Sequence, residues 1–182
     1  MPPTHTPHFA FLPGLWRIAP VLLLFAAGCS HDDSPGPTAT PIDGSPYLLR
    51  EEPAGATNVI QARHSAVDGE PVLIVGRIGG SANPWIEGRA AFSIVDGSLQ
   101  ACSDRPGDNC ELPWDYCCET AALPTSTALI KVVDDRGNVV KADARQLLQV
   151  KELSTVIVAG TAQRDDAGNL AVLARGVYVK QK

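Results

Sequence analysis

"STVIVAGTAQRDDAGNLAVLARGVYV", residues 154–179, is the stretch from which the fold is read. Val156 and Val158 alternate into Gly160, the period-2 pattern of a strand with one face on a core. "DDAGN" (165–169) follows, with residues that tolerate the positive φ of a tight turn. The chain then returns through Leu170 and Val172 to end in "VYV" (177–179). The stretch predicts a β-hairpin with a glycine inside its first strand.

Working outward, the neighbouring segments divide into strands and short helices. "ARQLLQVKEL" (144–153) has helical spacing at Leu147, Leu148 and Val150. "TALIKVVDDRGNVVKAD" (127–143) is expected to form two strands joined at "DDRGN". "GRAAFSIVDGS" (88–98) alternates through Ala90, Phe92 and Ile94, and Asp96-Gly97 makes a turn. "PVLIVGRIGG" (71–80) is a Val/Ile-rich strand closed by paired glycines. Before it, "NVIQARHSAVDGEP" (58–71) holds one short helix capped by Thr57 or Asn58. No strand–helix alternation of the kind a parallel sheet needs is present.

Five or six strands with a single helix before the last two resemble the OB-fold, a small Greek-key β-barrel. The resemblance rests on "VLIVGRIGG", "AFSIVD" and the 154–179 stretch, and covers about residues 70–181. Many OB domains end in such a strand–glycine–strand pattern, in which glycine lets the strand bend round the barrel. The resemblance implies a mainly β fold: a small barrel of five to six strands with one short helix and a long cysteine-rich loop. It implies no activity, because function sits in sites grafted on a fold.

The N-terminus speaks to location. A lone Arg17 precedes the apolar run "IAPVLLLFAAG" (18–28), which is shorter than the roughly 20 apolar residues a bilayer span needs. Small residues follow, the pattern of a cleaved export signal. "AAGC" (26–29) resembles the lipobox of bacterial lipoproteins, with Ala26 where leucine is usual. The resemblance implies a signal peptide over 1–28 and acylation of Cys29, which then holds the chain in the membrane. Ser30 after the cysteine points to outer-membrane sorting in the bacterial cell envelope, with the domain facing the periplasm. As a whole the chain resembles exported lipoproteins with a single domain of this kind.

Residues 29–57, rich in Pro, Gly and Ser, are expected to be a disordered tether, with Tyr47, Leu48 and Leu49 able to dock on the domain. The barrel domain is placed at 58–182. The 182-residue chain carries a formal net charge of −5, and loss of Arg17 with the signal leaves −6. An acidic domain lacks the electrostatic footprint of a phosphate-backbone binder, so nucleic acid is not an expected partner.

The loop 97–126 is the least generic part of the chain. "CSDRPGDNCELPWDYCC" (102–118) packs in Cys102, Cys110, Cys117 and Cys118. In an exported protein such thiols are expected to oxidise. A bond between adjacent Cys117 and Cys118 strains the peptide between them. That leaves the two pairings in which Cys102 and Cys110 each take one of the adjacent pair. Such a staple leaves "PWDY" (113–116) at the tip or packed on the barrel mouth; a bridge closing about fifteen residues contributes about 3 kcal/mol in the chain-entropy model. The alternative is a zinc or copper site on the same four thiolates, with spacings of seven, six and zero residues rather than paired Cys-x-x-Cys knuckles.

Other chemistry is sparse. His64 has no nucleophile placed beside it by sequence, so no enzyme and no catalytic residue is expected. No cofactor is expected either. Trp85, Trp114, Asp115 and Tyr116 are the candidate binding surface, because large aromatics in loops act either as core lids or as ligand contacts. The expected role is therefore a membrane-anchored, non-enzymatic binding or scaffold module for an envelope protein or small ligand.

Overall fold

The hairpin forms as its sequence predicts, and four other segments arrange themselves round it. The computed structural model describes residues 42–181; the expected export signal, Cys29 and the first part of the expected tether lie outside them. In chain order the strands are β1 (Thr57–Asn58), β2 (Pro71–Ile78), β3 (Ala91–Val95), β4 (Thr127–Val132), β5 (Thr155–Arg164) and β6 (Leu170–Val179). Three short helices intervene: α1 (Val59–Ser65), α2 (Leu123–Ser126) and α3 (Ala144–Leu148).

Hydrogen bonding runs β2-β3-β4-β6-β5, and β5 pairs antiparallel with β2 to close the ring. Only β4–β6 is parallel within that ring, and β1 adds a short parallel pair outside β2. The result is a five-stranded Greek-key barrel with α3 in the connection from β4 to β5, an OB-like fold. Closure leaves the five strands without a free edge.

Alternation decides what goes inside. Along β4, Ala128, Ile130 and Val132 point inward while their neighbours are half-buried. With Phe92, Ile94, Ile74, Val156, Val158, Val172 and Val177 they make the main core. Burying each such side chain contributes roughly 1.5–3 kcal/mol before conformational entropy is subtracted. The pairing of β5 with β6 slips at Ala159/Gly160, where the register passes from Ala159↔Gly176 to Gly160↔Ala174. The expected glycine bend is at that slip.

Three expectations change. Residues 134–143 do not form a second strand: beyond β4 there is one bridge, Val133↔Val139. Val140 instead lends its carbonyl to Ala90 N–H, tying the segment to the start of β3. The helix expected over 144–153 stops at Leu148, because Gln149 turns left-handed at φ 54°. And the domain begins before residue 58. Leu49 N–H donates to Val177 O at 2.9 Å, and Tyr47 and Leu48 pack on the main core. The apolar triplet within the proline-rich stretch therefore straps the outside of β6.

The anticipated cap of α1 is present, with Asn58 Oδ1 accepting from Gln61 N–H at 2.8 Å. A second anchor comes from across the fold. Asp96, 2% exposed at the end of β3, accepts from Ile60 N–H at 2.9 Å.

Candidate functional site

The loop between β3 and β4 folds back on itself over a small core of its own. Val95, Leu99, Ala101 and Tyr116 are buried together, with Ile60, Ala122, Leu123 and Leu153 against them. The two arms of the loop bond through their backbones: Cys102 N–H donates to Asp115 O at 2.8 Å and Ser103 N–H to Pro113 O at 2.9 Å. Arg105 pairs with Glu119 at 2.6 Å across the arms. Arg77 on β2 pairs with Asp104, tying the loop to the barrel wall.

Tyr116 is the centrepiece of this small core. It is 0% exposed, and its ring lies where a Cβ on Gly79 would stand, 2.7 Å from Cε2. Glycine at 79 is thus what lets the loop close on β2. Burial pushes the Tyr116 hydroxyl up, and its oxygen has no hydrogen-bond partner among the described residues. Leaving such a group unpaired costs free energy that phenylalanine avoids. Tyr116→Phe is therefore expected to raise the unfolding free energy by about 1 kcal/mol, read from denaturant titration; a loss of 1 kcal/mol contradicts this placement.

Of the expected binding surface, Trp85 and Tyr116 are buried while Trp114 and Asp115 are half-buried. Trp85, 8% exposed, packs its ring 5.8 Å from Phe92 in the main core. Its indole N–H donates to Glu152 Oε1 at 2.7 Å, and Arg145 lies 5.5 Å over the ring. Half-buried Trp114 donates its indole N–H to Ala82 O at 3.1 Å. Asp115 spends Oδ1 on Tyr116 N–H and its carbonyl on Cys102. Trp85 and Tyr116 are lids and packing, as the buried alternative for loop aromatics requires. "PWDY" is packed on the barrel rather than held at a tip.

What the packing presents instead is sulfur. Cys102 Sγ and Cys110 Sγ each lie 3.3 Å from Cys117 Sγ, and the three atoms are all within 4.8 Å of one another. Cys118 Sγ is 3.8 Å from Cys117 Sγ. The sulfurs lie near one another without reaching the roughly 2.05 Å of a disulfide. Burial grades across the cluster: Cys102 is buried, Cys110 half-buried, Cys117 and Cys118 exposed.

The thiols perturb one another. Hydrogen bonding to Cys117, then to Asp108 and Cys102, pushes the Cys110 thiol far up. Cys102 first, and Cys118 after it, push Cys117 up against an opposing effect of Cys110. His64, on α1, is exposed.

No protein-family model matches the chain, and no curated protein matches it. Among solved structures it is similar to the hypothetical protein ygiW from E. coli, at 12% identity and a TM-score of 0.37, over 74% of this chain and 96% of that one. It is also similar to the telomere capping protein Ten1 from Saccharomyces pombe, at 13% identity and a TM-score of 0.28, over 70% and 78% respectively.

Proposed function

We propose that this chain is a non-enzymatic binding module of the bacterial cell envelope, and that its binding head is the cysteine loop. The observation that carries the reading is the fixing of that loop. A private core around Tyr116 and the ion pairs Arg77–Asp104 and Arg105–Glu119 hold four thiols in one place. Ordered, side-chain-rich loops on a plain barrel are where binding residues are concentrated. The "AAGC" sequence supports acylation of Cys29 and anchorage facing the periplasm, at the outer membrane. The ligand is an envelope protein or a small ligand.

Residues 102–118 replaced by a Gly/Ser linker provide the test, with the intact chain as reference on an envelope extract. Retention of an envelope component by the intact chain, lost with the linker, is the expected result. Equal retention by both chains overturns the assignment of the head.

A further inference from the structure

The arrangement of the four sulfurs bears on the class of ligand. Two disulfides need them divided into two pairs. Here Cys117 is a vertex shared equally by Cys102 and Cys110, 3.3 Å from each, and Cys118 stands beside Cys117 alone at 3.8 Å. A triangle with a shared vertex fits one atom touched by three sulfurs. Thiolate–zinc bonds of about 2.3 Å in tetrahedral geometry put sulfurs about 3.8 Å apart. Cys117 stands 3.3 Å from each of its two partners, inside that spacing and far outside a bonded pair.

We propose that Cys102, Cys110 and Cys117 hold one thiophilic closed-shell cation, Zn²⁺ or Cu⁺, as a three-thiolate site open to solvent at its fourth position. The proposal rests on the loop being the binding head and names what it binds. The donor set selects this class, since three sulfurs, with the Asp108 carboxylate beside Cys110 but outside the triangle, suit soft cations better than Mg²⁺ or Ca²⁺. Burial gives the site a floor and a mouth: Cys102 closes the inner side, and exposed Cys117 faces the entering ion.

The scaffold holds each ligand in place. Cys102 N–H is fixed by Asp115 O, Cys110 N–H is held by Asp108 Oδ2 at 3.1 Å, and Cys117 follows the buried Tyr116. Ligands held this way lose little freedom on binding. Asp108, Glu111 and Asp115, beyond the acids already paired with Arg77 and Arg105, give loop 97–126 a negative field that draws cations in. Binding exchanges three S–H bonds for three S–metal bonds and releases three protons to solvent, with no change in oxidation state.

The full chain in detergent, made metal-free and kept reduced with a phosphine, is titrated with Zn²⁺ alone and, in a separate arm, with Cu⁺ alone. One equivalent is expected in at least one arm, with three thiols shielded from alkylation and Cys118 still reactive. Cys110→Ser and Cys117→Ser should each weaken binding by about 100-fold or more, while Cys118→Ser changes it less than about 3-fold. Both ligand variants lie at half-buried or exposed positions, so an unchanged circular dichroism spectrum separates lost ligation from lost folding. Failure to bind either ion at micromolar concentration, or equal loss in Cys118→Ser, overturns the site. Linker-dependent retention of an envelope component by the metal-free chain would then leave the head assignment standing alone. Ion binding without any linker-dependent retention would establish the site and remove the envelope-component reading.

Discussion

Replacing Gly160 by alanine should lower the unfolding free energy by about 3 kcal/mol, the upper end of overpacking costs. A Cβ there would stand 2.3 Å from Leu173 O, 2.8 Å from Leu173 C and 2.9 Å from Ala174 Cα. All three atoms are backbone of the partner strand, so no side chain can rotate away. The clash falls on the register slip between β5 and β6. Because β5 also pairs with β2, relieving it strains two walls of the barrel. Gly97→Ala is the control, since nothing lies within 4 Å of a Cβ at that position. Guanidinium unfolding of both variants measures the difference, and a loss below about 0.5 kcal/mol in Gly160→Ala contradicts the close approach.

Asp96→Ala should cost a similar amount, about 3 kcal/mol, for a different reason. The carboxylate, 2% exposed, accepts from Ile60 N–H, from Ser98 N–H at 3.0 Å and from Ser98 Oγ–H at 2.7 Å. Removing it orphans donors at the start of α1 and in the turn after β3. The loss also depends on pH. Burial pushes the carboxyl up, but hydrogen bonds from Ile60, Ser98 and Val59 outweigh it and hold the group below its ordinary value. A depressed carboxylate stabilises the fold fully above its unfolded value near 4 and loses that contribution as pH falls through the folded value. The native chain should therefore lose more stability than Asp96→Ala between about pH 5 and pH 2. Parallel stability profiles for the two over that range would show that Asp96 is not the group responsible.

Much of the barrel is legible in the sequence because burial leaves a short-range pattern. Valine alternation and the Asp-Asp-Ala-Gly-Asn turn in 154–179 need only local chemistry to be read. The Asn58 cap is likewise a three-residue signal. Residues 134–143 misled because Val139 and Val140 have strand propensity, but are used to join the end of β4 to Ala90 rather than to extend a ladder. The strap at 44–49 was hinted at by Tyr47-Leu48-Leu49, and its partner Val177 lies more than a hundred residues away.

The site divides the same way. Cysteine density marks the loop in the sequence. Which three sulfurs share a centre is set by tertiary ties, the Cys102–Asp115 backbone bond and the Arg105–Glu119 pair among them. Trp85 and Tyr116 are loop aromatics by position and core by packing. Leu99 and Ala101 are the apolar residues that could have revealed the second core, but they lie within an aperiodic stretch. Gly79, which admits the Tyr116 ring, is in the sequence one of a glycine pair at a strand end.

The most direct measurement is the native mass of the intact chain, purified without reductant or chelator from cells that make it. The account predicts one zinc or copper per chain, removed by chelator, with the thiols then free to alkylate. A metal-free mass lighter by the four hydrogens of two disulfides would contradict it and make the loop a stapled structure instead.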